Sequence, residues 1–192
     1  MRQIRKNERL AIAGILNLRF IIMKRINLLI ILTSFSLFLC LGASAQVIKG
    51  TYAIKNVETG MLIRIKDANK KDGTPLVAYS PVNWKCMTWD FNYLGGQTYQ
   101  LKNLFTGKTF QPNNSPSEGT GLEQRTLNVE ATNQQYEFIV LNKNVYAIRL
   151  KDTDLYLTTS DKNGAINSEI ILGKKDKGKL QQWTIYEQHP DF

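Results

Sequence analysis

Residues able to do covalent or metal chemistry are scarce in this chain. His189, close to the C-terminus, is the one histidine, and the two cysteines are Cys40 and Cys86. A catalytic imidazole, a zinc centre and a disulfide framework all lack their material. Asp67, Asp72, Asp152, Asp154 and Asp161 fall in turn-like stretches, where a carboxylate serves local hydrogen bonding. No two of them are marked as the pair a glycosidase needs. No Gly-rich phosphate loop is present, and no cofactor or metal is expected. What remains is recognition by side chains that do not react, and aromatic rings beside polar groups are the material for it.

The charge balance first has to be corrected for a leader. From Met23 the chain reads MKRINLLIILTSFSLFLCLGASAQ. Lys24 and Arg25 form a positive start, Ile26 to Leu41 is mostly apolar, and Ala43-Ser44-Ala45 is a small-residue cleavage motif. These are the three parts of a secretory signal peptide, expected to be cut after Ala45. Residues 1–45 are therefore an N-terminal extension plus signal, residues 46–192 the mature domain, and the destination secreted or periplasmic. The whole chain carries 25 basic against 16 acidic residues. Residues 46–192 carry 18 and 15, because seven bases and one acid precede them. A balance of +3 is no electrostatic footprint for nucleic acid. Cys86 is left alone, and no membrane span remains after cleavage. The run Lys174 to Lys179 reads as a solvated hairpin tip, with binding of anionic glycans as its functional alternative.

The mature chain repeats itself every 47 residues. Tyr52, Tyr99 and Tyr146 share that spacing, as do Trp89, Tyr136 and Trp183. Ile54, Leu101 and Ile148 follow it too, with Ile63, Phe110 and Leu157, and Phe91, Phe138 and Ile185. Without a gap, residues 51–97 and 98–144 are identical at nine positions, where about three would arise by chance. Each unit alternates apolar and polar residues over short runs. In the first these are Tyr52–Ile54, Met61–Ile65, Leu76–Tyr79 and Thr88–Leu94, broken by turn residues at 58–60, 71–75 and 95–96. No window carries a helical period.

Three four-stranded units (about 51–97, 98–144 and 145–191) allow few folds. A propeller needs at least four blades, and an open stack leaves sheet edges exposed. Closure around a pseudo-threefold axis buries the aromatic and aliphatic columns in one core. The fold class expected is all-β, a β-trefoil.

Gln181-Gln182-Trp183 carries the Q-x-W pattern of ricin-type β-trefoil lectin domains, and Gln134-Gln135-Tyr136 is a conservative version. Met87-Thr88-Trp89 keeps the ring without the Gln, and Tyr52 to Gly60 resembles the family's repeat opening. The chain thus resembles that family over residues 47–188. The resemblance implies a core role for rings 89, 136 and 183, with each Gln satisfying backbone groups nearby. It also implies three sugar-binding positions per unit: an Asp in the second strand, an aromatic ending the third, and an Asn just before Q-x-W. Here they hold Arg64, Tyr79 and Cys86; then Gln111, Thr126 and Asn133; then Thr158, Gly173 and Leu180. No unit keeps the Asp and none keeps all three residues.

Unit one keeps the aromatic ring, and it adds another. Trp84 stands where the repeat has Ala131 and Gly178, so packing in the other units does not call for a large ring there. Tyr79, Asn83 and Trp84, with Asp67 or Arg64, are therefore the expected carbohydrate-binding site; the alternative is that Tyr79 and Trp84 cover the trefoil's flank or touch each other. The expected function is a non-catalytic, lectin-like module for a glycan or polysaccharide. The rival reading is a protein-binding trefoil, such as a protease inhibitor or adhesion module, since trefoil loops serve both uses.

Overall fold

The computed structural model describes residues 23–25, which are helical, and 46–191. Contacts divide the chain into Met1–Ser44 and Ala45–Phe192. The expected apolar signal core and cleavage motif lie outside the described residues.

Twelve strands follow in order. Unit one holds β1 (Thr51–Asn56), β2 (Leu62–Ile65), β3 (Leu76–Tyr79) and β4 (Thr88–Gly95). Unit two holds β5 (Thr98–Asn103), β6 (Thr109–Pro112), β7 (Leu122–Arg125) and β8 (Tyr136–Asn142). Unit three holds β9 (Val145–Leu150), β10 (Leu155–Thr159), β11 (Ile170–Lys174) and β12 (Trp183–Glu187). β1 pairs with β4, β4 with β5, β5 with β8, β8 with β9, β9 with β12 and β12 with β1. That circuit closes a six-stranded antiparallel barrel and so removes its edges. The hairpins β2–β3, β6–β7 and β10–β11 join one another through the bridges Pro75↔Glu123, Val77↔Glu169 and Gly121↔Ile171. This is the β-trefoil.

The repeat columns form the core. Ile54, Leu101, Ile148, Ile63, Phe110, Leu157, Phe91, Phe138 and Ile185 are all buried. Trp89, Tyr136 and Trp183 are fully enclosed and make one hydrogen bond three times over. Trp89 Nε1 donates to the Ile63 carbonyl at 3.3 Å, Tyr136 Oη to Phe110 at 3.2 Å, and Trp183 Nε1 to Leu157 at 3.0 Å. Each partner lies 26 residues upstream. The polar end of each ring thus finds a backbone acceptor while its body fills the core. Tyr52, Tyr99 and Tyr146 also pack on this core, and the Tyr99 hydroxyl accepts the Ile48 N–H at 3.0 Å.

Asparagine ties the units together. Asn56 Nδ2 donates to the Leu180 carbonyl at 2.8 Å, linking units one and three. Asn103 makes the equivalent bond to Cys86 at 3.1 Å, linking units two and one. The other end of each amide accepts the N–H groups of the turn that follows, from Glu58 and Thr59 or from Phe105 and Thr106. Those turns close at Gly60 and Gly107, whose φ values of 71° and 68° are left-handed and suit glycine. Leu150 holds this place in unit three, where Thr153 Oγ1 bonds the Leu150 carbonyl instead.

Candidate functional site

β2 and β3 set the first two site residues. Arg64 pairs with Val77 and Leu62 with Tyr79, so the hairpin brings both onto one flank of unit one. Arg64 is buried at 7% exposure, with its guanidinium carbon 4.1 Å from the Tyr79 ring centre. Its Nη2 donates to Asp67 Oδ1 at 3.2 Å and its Nε to the Ile65 carbonyl at 3.3 Å. A cation therefore sits where the resemblance places a carboxylate, and it carries an acid of its own with it. Asp67 and Ala68 both adopt positive φ, at 52° and 49°, in the 3-10 turn Lys66–Ala68. Two successive left-handed non-glycine residues are strained, costing of order 1 kcal/mol each.

Trp84 begins the second element. It precedes the 3-10 turn Lys85–Met87, as Ala131 and Gly178 precede Thr132–Gln134 and Lys179–Gln181. The Tyr79 and Trp84 rings lie 6.2 Å apart at 33°, each partly exposed. Behind them lies a small apolar cluster of Ala53, Leu62, Cys86 and Met87, against which both rings pack. Trp84 therefore has a packing role on this flank, as the alternative reading of the pair expects. That cluster includes Met87, the residue that stands where units two and three have Gln.

Those glutamines behave as their positions imply. Gln134 Nε2 donates to the Thr126 carbonyl at 3.2 Å, and its Oε1 accepts the Asn128 N–H at 2.8 Å. Gln181 does the same with Lys174, at 2.6 Å, and Asp176, at 2.9 Å. In unit one a residue from beyond β12 holds the corresponding loop. Gln188 Nε2 donates to the Val82 carbonyl at 3.3 Å, and its Oε1 lies 2.8 Å from the Thr88 hydroxyl.

Four of the five expected site residues are thus gathered: Arg64, Asp67, Tyr79 and Trp84. Asn83 is turned elsewhere, its amide donating to the His189 carbonyl at 3.4 Å. A further residue enters from unit two. Phe105, in the turn after β5, faces a shallow groove of about 220 Å³ shared with Ala68, Trp84, Lys85 and Cys86. Its spacing in the sequence says nothing of this, because the fold brings it from the neighbouring unit. Burial pushes the Cys86 thiol above its ordinary pKa, so the groove holds no ready thiolate.

The other units lack this arrangement. In unit two the third strand pairs Leu62's counterpart Thr109 with Arg125, so Arg125 is the counterpart of Tyr79. Thr126, expected from the ungapped repeat, is one residue late, because the loop before β7 is one residue shorter than that before β3. Unit three places Gly173 there, opposite Tyr156. Among the described residues no group of three His, Cys, Asp or Glu could hold a metal ion. None of their helices is long and apolar enough to cross a membrane.

The model of the "Ricin-type beta-trefoil lectin domain-like" family matches residues 38–125 and 85–173. The chain belongs to this family. Among solved structures it resembles the designed threefold protein ThreeFoil, with a TM-score of 0.69 and 22% identity over 72% of this chain and 99% of that one. It also resembles the Macrolepiota procera ricin B-like lectin solved with lactose, with a TM-score of 0.62 and 24% identity, covering 76% and 100% of the two chains. The Rhizoctonia solani agglutinin gives 0.67 and 20%, covering 76% and 100%. These likenesses establish the trefoil fold. No curated protein matches the sequence.

Proposed function

We propose that this ricin-type trefoil is a secreted, non-catalytic module that binds a glycan or polysaccharide through unit one. The reading is carried by the partly exposed Tyr79–Trp84 pair, which units two and three replace with Arg125–Ala131 and Gly173–Gly178. Sugar rings present an apolar C–H face that suits an aromatic surface, and their hydroxyls need fixed polar partners. Arg64 and Asp67 supply such partners, already oriented by their own ion pair. Asn83 joins them only by releasing His189. The test is a glycan array, followed by titration of a bound glycan against wild type and the Tyr79→Ala and Trp84→Ala variants. Loss of affinity in both, with the thermal transition retained, supports the site; unchanged affinity in both moves it elsewhere.

One observation favours the rival, protein-binding reading. The hairpins β4–β5 and β8–β9 leave Tyr93, Leu94, Val140 and Leu141 exposed, at 39% to 49%. Apolar side chains on hairpin tips suit a protein partner. An array without binders, together with an affinity that falls on Leu94→Asp or Leu141→Asp, would favour it.

A further inference from the structure

The groove between Trp84 and Phe105 has two features that a neutral sugar does not require. Its walls come from different units, and one fully buried side chain holds both. Asn103 Nδ2 donates to the Cys86 carbonyl at 3.1 Å, and its Oδ1 accepts the Phe105 N–H at 3.1 Å. The spacing of the two walls is therefore set by an amide that solvent does not reach.

The rim is cationic. Lys70 Nζ lies 4.7 Å from the Phe105 ring centre, and Lys85 lines the groove while its Nζ donates to the Asp191 carbonyl at 3.1 Å. Neither ammonium forms an ion pair with a carboxylate among the described residues. The nearby acids are engaged: Asp67 with Arg64, and Asp72 with Lys108 and the Thr126 hydroxyl. An exposed cation resting on an aromatic face is held by only about 0.5–1 kcal/mol, so Lys70 is readily drawn to a better partner.

We infer that the sugar taken at this site is acidic, a uronate whose ring lies on Trp84 and Phe105 and whose carboxylate is met by Lys70 and Lys85. The inference rests on the carbohydrate reading of unit one and specifies its ligand class. Carboxylate and ammonium gain from one another mainly where a hydrophobic wall excludes part of the water, which the two rings provide. A neutral hexose offers neither ammonium a charged partner.

The experiment titrates the protein with a linear oligogalacturonate and with a neutral β-galactan oligosaccharide of equal length, at low and high salt. The expected result is binding of the oligogalacturonate that weakens with salt. Affinity should fall about two- to fivefold for Lys70→Ala and for Lys85→Ala, the size of an exposed ion pair. Phe105→Ala should weaken it as well, and thermal unfolding of each variant reports whether the fold is kept. Equal binding of both oligosaccharides, lost in Trp84→Ala, overturns the acidic class and leaves the carbohydrate reading standing. Uronate binding that survives Lys70→Ala and Phe105→Ala but is lost on removing Lys174, Lys175 and Lys177 overturns the location. Binding of neither, together with an array without binders, removes the carbohydrate reading itself.

Discussion

The Arg64 guanidinium covers one face of the Tyr79 ring and hydrogen-bonds Asp67 from the same position. The Tyr79 ring is thus backed by a cation, and only its remaining surface is left to solvent. The arginine is buried while Asp67 is exposed, so removing Arg64 strands no buried charge. What is lost is the packing of its stem, the ring contact and two hydrogen bonds. Arg64→Ala is expected to lower stability by about 1–2 kcal/mol in a denaturant titration. A loss within about 0.5 kcal/mol would mean that the hairpin holds the arginine rather than the reverse.

Threefold equivalence makes a sharper demand. Trp89 and Trp183 are fully buried, and each donates to a carbonyl 26 residues back. Trp183→Ala and Trp89→Ala should therefore each cost about 3–5 kcal/mol, through lost transfer energy and the cavity left behind. Tyr136→Phe keeps the ring but leaves the Phe110 carbonyl without its partner, at about 1–3 kcal/mol. Unequal losses for the two tryptophans would break the equivalence.

The asparagine clamps give a third expectation. Asn103 is fully buried and satisfies a carbonyl of one unit and two N–H groups of another. Asn103→Ala orphans all three and should lower stability by roughly 1–3 kcal/mol, with the thermal midpoint falling accordingly. Because the same amide spaces the groove walls, its loss should also weaken any ligand held there.

Alkaline pH should unfold the domain through its tyrosines. Burial raises the Tyr136 hydroxyl well above its ordinary 10.0. It raises Tyr146 too, with Tyr99 and Tyr52 adding to it. A folded pKa above the unfolded one means that the unfolded chain releases these protons first. The stability is present below the unfolded pKa and is lost as pH climbs beyond it. Midpoints measured across that range should fall above pH of about 10, and the Tyr136→Phe variant should fall less steeply.

Much of this was legible in the residues. The 47-residue spacing predicts the core columns because a buried ring cannot move without leaving a cavity, and all three of Trp89, Tyr136 and Trp183 sit where the spacing puts them. Loops obey no such constraint. The loop before β7 is one residue shorter than its counterpart before β3, so Arg125 and not Thr126 answers to Tyr79. The second aromatic at Trp84 was visible as a departure from the repeat, yet the apolar cluster behind it was not. Phe105 and Gln188 were hidden because chain segments remote in sequence deliver them. Neither has a motif, only a place.

Export gives a prediction that sequence alone motivates. Expressed from Met23 in a bacterial host, the protein should be recovered outside the cytoplasm beginning at Gln46, by N-terminal sequencing. Exported material still beginning at Met23 would overturn cleavage.

Restoring the family motif in unit one should harm the fold rather than help it. Gln134 and Gln181 are useful because loop groups await them: the Thr126 carbonyl and Asn128 N–H, or the Lys174 carbonyl and Asp176 N–H. Met87 stands in that place in unit one, fully buried with Ala53, Leu62 and Cys86 in the cluster against which Tyr79 and Trp84 pack. A glutamine at 87 would bring an amide into an apolar cluster, and unsatisfied burial costs about 1–3 kcal/mol. Met87→Gln is therefore expected to destabilise by about that amount in chemical denaturation, although it restores Q-x-W. A neutral or stabilising Met87→Gln would show that the loop after β3 can close on a glutamine as it does in the other units.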